Sequence, residues 1–112
     1  MLKKSFRLGR KELGLFYKKK SFFKKGAFII LRFCRNQKGS SRFAFVVSGP
    51  KKSAVSRNLA RRRMSEIART QIDGFPKGID MVFFLKLGQD RKVPKFNELK
   101  KDIINAVSSL NL

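Results

Sequence analysis

The sequence predicts an α+β fold in which helices pack against a β-sheet. Stretches rich in β-branched and aromatic residues, bounded by Gly, Pro, Asn or Ser, predict strands at 27–35, 42–48 and 79–86. Two other stretches, 53–69 and 96–110, lack internal glycine and proline and carry apolar residues at helical spacing. These two stretches predict helices that can cover the sheet.

The N-terminal fifth of the chain is less regular. Its apolar residues predict a short helix over about 11–18, which Gly14 weakens by about 1 kcal/mol relative to alanine. Phe22 and Phe23 predict a short strand over 21–25, before Gly26. Residues 1–6 are a candidate for a disordered terminus, and the length of 112 residues predicts a single domain, 1–112.

Period-two alternation divides the two longest strands into faces. In 27–35, one face carries Phe28, Ile30 and Cys34, and the other carries Ile29, Leu31, Phe33 and Arg35. In 42–48, the bulky Phe43, Phe45 and Val47 alternate with Ala44, Val46 and Ser48. We expect the bulky side to pack on helices and the shallower side to be open to a ligand. Strand 79–86 is apolar on both faces, which suits the interior of the sheet.

The helix at 53–69 is amphipathic, with Ser53 as a candidate N-cap. One side carries Asn58, Arg61, Arg62, Ser65 and Arg69, and the other carries Ala60, Met64 and Ile67. The element order is therefore αβββαβα, a two-layer α/β sandwich. The connection from 48 to 79 through this helix could be a βαβ crossover, which is right-handed by default.

The charge of the chain indicates an acidic partner. Lysine and arginine number 28 against 7 acidic residues, a formal charge of +21. Because no apolar run has the length of a signal-peptide core or a membrane span, we expect a cytoplasmic protein and no membrane partner.

Composition disfavours catalysis by the chain alone. There is no histidine, so no Ser-His or Cys-His pair and no imidazole acid or base can form. The only cysteine, Cys34, lies in an apolar segment and is expected to be buried and inert. The carboxylates are scattered singly, so neither a catalytic residue nor a metal ligand is predicted, although a metal site assembled from distant segments stays open.

Several of these segments together carry a family resemblance. Arg42–Ser48 is followed, at a characteristic spacing, by Ala54–Asn58 and Arg61-Arg62, with Arg7-Leu8 upstream and Asp80–Lys86 downstream. This pattern resembles the protein subunit of bacterial ribonuclease P, which has a strand followed by an Arg-Asn-Arg helix. The sequence departs from the family pattern at Leu59, where arginine is usual, at Ser65, where a basic residue is usual, and at Gly49-Pro50, where a lysine pair is usual.

The resemblance implies a sandwich with a left-handed βαβ crossover, against the default hand, and a single RNA-binding domain. It implies that the motif helix binds the catalytic RNA through Lys51, Lys52, Arg57, Asn58, Arg61, Arg62 and Arg69. The RNA, with magnesium, would hydrolyse the phosphodiester bond of precursor tRNA, and no protein partner would be required. Such binding would fall steeply with salt.

The resemblance also implies a cleft between the first helix and the sheet that receives the single-stranded 5′ leader. The candidate residues are Leu13, Phe16, Tyr17, Leu31 and Phe33. Aromatic side chains there could stack on bases, but core positions for Phe16 and Phe33 are an equally weighted alternative. The lysine runs 18–20 and 24–25 are interpreted as a general phosphate-attracting surface.

Two other functions stay open. A structural ribosomal protein would also be small, basic and poor in histidine, although the arrangement from Ser48 to Arg62 favours the ribonuclease P subunit. An independent metal nuclease is disfavoured by the sparse carboxylates.

Overall fold

The computed structural model describes residues 2–110. Its elements, in chain order, are α1 (Arg10–Lys18), β1 (Phe22–Lys25), β2 (Ile29–Arg35), β3 (Arg42–Ser48), α2 (Ala54–Gln71), β4 (Ile79–Lys86) and α3 (Phe96–Ser108). Two short 3-10 turns, Lys4–Phe6 and Ile72–Gly74, precede α1 and follow α2. The predicted α+β order αβββαβα is therefore confirmed. In residues 2–110, no helix has the length and apolarity needed to cross a membrane.

The four strands form one mixed sheet in the order β1-β2-β4-β3. Strand β2 is antiparallel to both β1 and β4, whereas β3 runs parallel to β4. Strand β4 is thus interior, as its two apolar faces predicted. The parallel pair β3 and β4 is joined through α2, which makes this connection the βαβ crossover, and its left-handed sense stays a prediction.

One face of the sheet forms the main core with α2 and α3. Phe43 and Val47 of β3, the bulky positions of that strand, are buried there together with Met64 of α2 and Ile103 of α3. Each helix contributes an apolar stripe at helical spacing, and burying such a stripe against a sheet supplies most of the folding free energy of a small domain. The predicted assignment of the bulky side of β3 to the helices is confirmed.

The opposite face of the sheet packs on α1. Phe16 of α1 is buried in a second apolar cluster with Leu8, Cys34 and Val82, and Leu13 packs against this cluster. Helices therefore lie on both faces of the sheet, so the predicted two-layer description is incomplete. The short α1 covers only part of its face, and partly exposed sheet residues remain beside it.

The N-terminal segment is ordered where the structure describes it. Leu2 is only 3% exposed in the main core, and Lys4–Phe6 form a 3-10 turn. Arg7 then forms an isolated parallel bridge with Phe43 at the outer edge of β3. Of residues 1–6, for which disorder was expected, Leu2 and Phe6 thus pack on the core and add apolar area to it, and Met1 lies outside the described residues.

Candidate nucleic-acid interface

Helix α2 presents a basic surface to solvent. Its buried side, which includes Ala60, Met64 and Ile67, faces the main core. The residues predicted to bind RNA lie on and just before the rest of this helix, and we call them the basic helix surface: Lys51, Lys52, Arg57, Asn58, Arg61, Arg62 and Arg69. All seven are exposed or half-buried, so the structure brings them together along one element.

The first turn of α2 is organised around Arg57. The Arg57 Nη1 atom donates to the Pro50 carbonyl at 2.9 Å and to Ser53 Oγ at 2.6 Å. Ser53 occupies the predicted N-cap position, but its hydroxyl donates to the Pro50 carbonyl instead of capping the helix. Within the described part of the chain, the positive end of α2 therefore has no side-chain cap. The exposed Lys51 and Lys52 lie beside it, which favours a phosphate there.

Farther along the helix, three more of the predicted side chains have protein partners. Arg61 donates to Asn58, and Arg69 forms an ion pair with Glu66. The Arg69 guanidinium lowers the pKa of Glu66, and Glu66 in turn raises the pKa of Arg69. Within the described part of the chain, Arg62 is exposed and donates no hydrogen bond, so its planar fork is available to a phosphate or a guanine edge.

The five residues predicted for the leader cleft do not come together. Leu13, Phe16 and Tyr17 lie on α1, but Leu31 and Phe33 lie on the other face of the sheet, in the main core. Leu31 and Phe33 therefore do not share the α1 face with the other three, since neighbouring positions of a strand point to opposite faces. Phe16 is buried beneath α1, which leaves Tyr17, at 41% exposed, as the aromatic ring of this set that can meet a ligand.

A different group of side chains surrounds Tyr17. The guanidinium carbon of Arg32 lies 5.3 Å from the Tyr17 ring centroid, 5.4 Å from that of Phe16 and 5.4 Å from that of Phe23. These are cation–π distances, and Arg32 Nε also donates to Ser21 Oγ. The Tyr17 ring lies 6.5 Å from that of Phe84 on β4. We call Phe16, Tyr17, Phe23, Arg32 and Phe84 the aromatic cluster.

Strand pairing extends this cluster across the sheet. Phe23 of β1 is opposite Arg32 of β2, and in the adjacent row Ile30 is opposite Phe84, which is opposite Val46 of β3. Phe23 is 67% exposed and Ile30 is 40% exposed. The uncovered part of this face therefore offers apolar and aromatic surface around one arginine, the composition that binds single-stranded nucleic acid.

The sequence did not predict that Phe23, Ile30, Arg32 and Phe84 belong to this surface. The available signal was alternation, because Arg32 shares a face with Ile30 and Cys34, the face opposite to Leu31 and Phe33. The lysines of 18–20 and 24–25 are exposed at the ends of α1 and β1, close in sequence to Tyr17 and Phe23. They add positive charge to the approach to this face.

Two buried carboxylates and the cysteine thiol have structural roles. Asp80 pairs with Arg42, Asp102 accepts backbone hydrogen bonds, and Cys34 is buried as predicted. Burial, with a smaller contribution from the charge of Asp80, raises the pKa of the Cys34 thiol, so it is a poor nucleophile. Within residues 2–110, no three His, Cys, Asp or Glu side chains come together as a metal site.

The sequence of this chain is similar to those of one protein family. A family model described as Ribonuclease P matches residues 2–111 of the chain. The ribonuclease P protein component of Petrotoga mobilis is 32% identical over 99 residues, 81% of this chain and 83% of that protein. That of Pelotomaculum thermopropionicum is 41% identical over 58 residues, 52% of each chain. The chain thus spans about half the length of the Pelotomaculum thermopropionicum protein.

Solved structures of similar shape agree with the fold. The RNase P protein from Thermotoga maritima superposes with a TM-score of 0.75 at 22% identity, covering 92% of this chain and 94% of that chain. The Staphylococcus aureus RNase P protein gives a TM-score of 0.73 at 18% identity, with 94% of each chain covered. At these identities the likeness supports the α+β fold.

Proposed function

The chain belongs to the ribonuclease P protein family, and we propose that it is the protein subunit of a ribonuclease P that removes the 5′ leader from precursor tRNA. In this assembly the basic helix surface binds the catalytic RNA and the aromatic cluster binds the leader. The family assignment favours this function over that of a structural ribosomal protein.

The observation that supports the leader site is the position of Arg32 among three aromatic rings on the partly uncovered face of the sheet. Tyr17 and Phe23 expose ring surface on which unpaired bases can stack, and Arg32 supplies a positive charge for the adjacent phosphate. A duplex would not expose its base faces, so the arrangement favours a single strand.

The two surfaces lie on opposite faces of the same sheet. The basic helix surface belongs to α2, which packs on the main core, whereas the aromatic cluster surrounds α1 on the other face. Catalytic RNA and leader can therefore be bound at the same time without competing for the same side chains. The protein would then hold the substrate against the RNA through its leader.

The chemistry in this proposal belongs to the RNA. Magnesium, bound mainly by the RNA, supplies the charge and the activated water for phosphodiester hydrolysis. The protein, acting as a single RNA-binding domain in the cytoplasm and without a further protein partner, contributes a formal charge of +21. That charge offsets phosphate repulsion between the two RNAs, so the assembly needs less free magnesium.

The test is reconstitution of 5′ cleavage at low magnesium. Bacterial ribonuclease P RNA and precursor tRNA are combined with and without the folded protein, and the rate of leader release is measured over a protein titration. We expect strong stimulation that weakens as salt is raised. An Arg62→Ala variant should stimulate less than a matched Lys101→Ala variant, which removes one exposed charge from α3.

Two outcomes would contradict the proposal. If the folded protein does not stimulate cleavage at concentrations that cover the expected affinity, the chain is not a ribonuclease P subunit of the proposed kind. Cleavage by the protein without the RNA would instead support the metal-nuclease alternative.

A further inference from the structure

A groove of about 520 Å³ runs beside α2, apart from the aromatic cluster. Its apolar floor is formed by Phe45 of β3, Leu59 of α2 and Phe96 of α3. Its rim carries three consecutive arginines, Arg61, Arg62 and Arg63. The groove therefore combines apolar surface with positive charge on the side of the protein that carries the basic helix surface.

The floor is held by the rest of the fold. The Phe45 ring stacks on that of Phe83 in the core, with centroids 5.8 Å apart and planes 15° from parallel. Arg63 Nη1 donates to the Pro94 carbonyl at 2.8 Å, which ties α2 to the segment that leads into α3. Because these contacts are made within the protein itself, they hold the groove in shape, and a ligand that enters it pays little ordering cost.

The charge of the rim selects the kind of ligand. Among the described residues, Glu66 is the one carboxylate that lines the groove, and it is paired with Arg69. The arginines are therefore not neutralised by the groove itself, and Arg62 makes no hydrogen bond to the described part of the chain. A flat aromatic group joined to phosphate satisfies both the floor and the rim, and an unpaired nucleotide of RNA carries such a group in its base.

We infer that this groove binds one unpaired base of the catalytic RNA, with the flanking phosphate at Arg62. The inference rests on the proposed function of the basic helix surface and adds a base-binding subsite to it. Leu59 is then a functional residue of the helix: its side chain contacts the base, so an additional positive charge at this position would not improve binding.

Two substitutions at Leu59 provide the first test of the inference. Leu59→Gln removes the apolar contact but keeps a good helix former, and Leu59→Arg adds a charge at the same place. The matched control is Val55→Gln, one turn earlier on the same helix, because Val55 is 81% exposed and does not line the groove. Each protein is titrated against ribonuclease P RNA, and the RNA is footprinted with reagents that modify unpaired base edges.

We expect the wild type and Val55→Gln to protect the same unpaired base, and both Leu59 variants to lose that protection. The affinity of Leu59→Gln should fall about 5-fold or more, as expected for loss of the apolar contact that a leucine side chain makes when it is partly buried. If Leu59→Arg instead binds more tightly with a steeper salt dependence, the surface contacts phosphates alone and the inference is wrong.

Unchanged affinity and protection in Leu59→Gln would also overturn the inference and leave the groove to a protein partner. Both results are distinct from failure of the proposed function. If the proposed function fails, the wild-type protein itself does not bind the RNA, and both proposals are then wrong. Folding is checked by circular dichroism, and a Phe96→Leu variant, which keeps an apolar side chain, provides a second alteration of the floor with the same expected loss of protection.

Discussion

The Oδ1 atom of Asp102 accepts a hydrogen bond of 2.6 Å from the backbone N–H of Ala27. Its Oδ2 atom accepts two more, from Phe28 at 2.9 Å and from Ile29 at 3.0 Å. Asp102 lies on α3, and the three amides lead into β2. One buried carboxylate therefore satisfies the N–H groups in the turn from β1 into β2 and fixes α3 against the sheet.

The close approach of this carboxylate explains Gly26. A Cβ atom at Gly26 would lie 2.5 Å from Asp102 Oδ1, closer than any ordinary contact. We expect Gly26→Ala to lower the free energy of unfolding by about 1–3 kcal/mol, measured by urea denaturation. Gly14→Ala is the control, because nothing lies within 4 Å of its Cβ position and alanine favours the helix. If Gly26→Ala is as stable as the wild type, α3 shifts enough to accommodate the added methyl group.

A second carboxylate holds the opposite end of the sheet. Asp80 accepts hydrogen bonds from Arg42 Nε at 2.9 Å, Arg42 Nη2 at 2.8 Å and Asn36 Nδ2 at 2.7 Å. Asp80→Ala would leave the Arg42 guanidinium, which is 16% exposed, without its partner, so we expect a loss of about 3–5 kcal/mol in unfolding free energy. Glu66→Gln breaks the exposed pair with Arg69 and should change stability by less than about 1 kcal/mol. Similar costs for the two variants would contradict this account.

The buried thiol of Cys34 makes the free energy of unfolding depend on pH. Its thiol pKa is raised, first by burial and then by the charge of Asp80. A raised pKa favours the neutral thiol in the folded state, so this contribution is complete below the unfolded pKa of about 8.5 and is lost as pH rises through the folded value. Between pH 7 and 9.5 the wild type should therefore lose more unfolding free energy than Cys34→Ala. Identical losses in urea titrations would show that Cys34 does not titrate differently on folding.

Much of the fold could be predicted because local patterns and tertiary packing agree. Strands 42–48 and 79–86 alternate or stay apolar in the manner that their places in the sheet require, and their observed bounds match the predicted ones. The basic helix was predicted at 53–69 and extends over Ala54–Gln71. In both cases the deciding information, the spacing of apolar side chains, lies within one element.

The aromatic cluster could not be predicted in the same way. The predicted leader site placed Leu31 and Phe33 beside α1, but these side chains point into the main core. Which face of β2 meets α1 depends on strand register and on where a short helix packs, and both are tertiary properties. Arg32, a charged residue in an apolar strand, was the local anomaly that marked the face of β2 on which α1 packs.

The arginines of the basic helix surface should differ in how much each contributes to RNA binding, because they differ in their contacts within the protein. Arg62 makes no hydrogen bond to the described part of the chain, whereas Arg69 is paired with Glu66. Arg62→Ala should weaken binding to the catalytic RNA and reduce the slope of log K against log salt by about 1, and Arg69→Ala should have a smaller effect. Arg57→Ala should also weaken binding, in part by releasing the turn at Pro50 and Ser53.

These effects should exceed that of removing the lysine run. Truncating Lys18, Lys19 and Lys20 to alanine takes away more charge than either arginine substitution, but from a surface outside α2. Binding isotherms at several salt concentrations compare the variants. If the lysine triple variant weakens RNA binding more than Arg62→Ala at physiological salt, the main contact does not lie on α2.

The proposed leader site predicts a difference between two neighbouring phenylalanines of β1. Phe23 shares a face with Arg32 and Tyr17, whereas Phe22 pairs with Phe33 on the opposite face, and both rings are largely exposed. Phe23→Ala should weaken holoenzyme binding to precursor tRNA by about 1–3 kcal/mol through lost base stacking. Phe22→Ala removes the same side chain from the same strand and should have little effect. With a tRNA that lacks the leader, neither variant should differ from wild type, because the contact to Phe23 is made by the leader alone. An equal loss for both variants, or a loss that persists without the leader, would place the contact elsewhere on the protein.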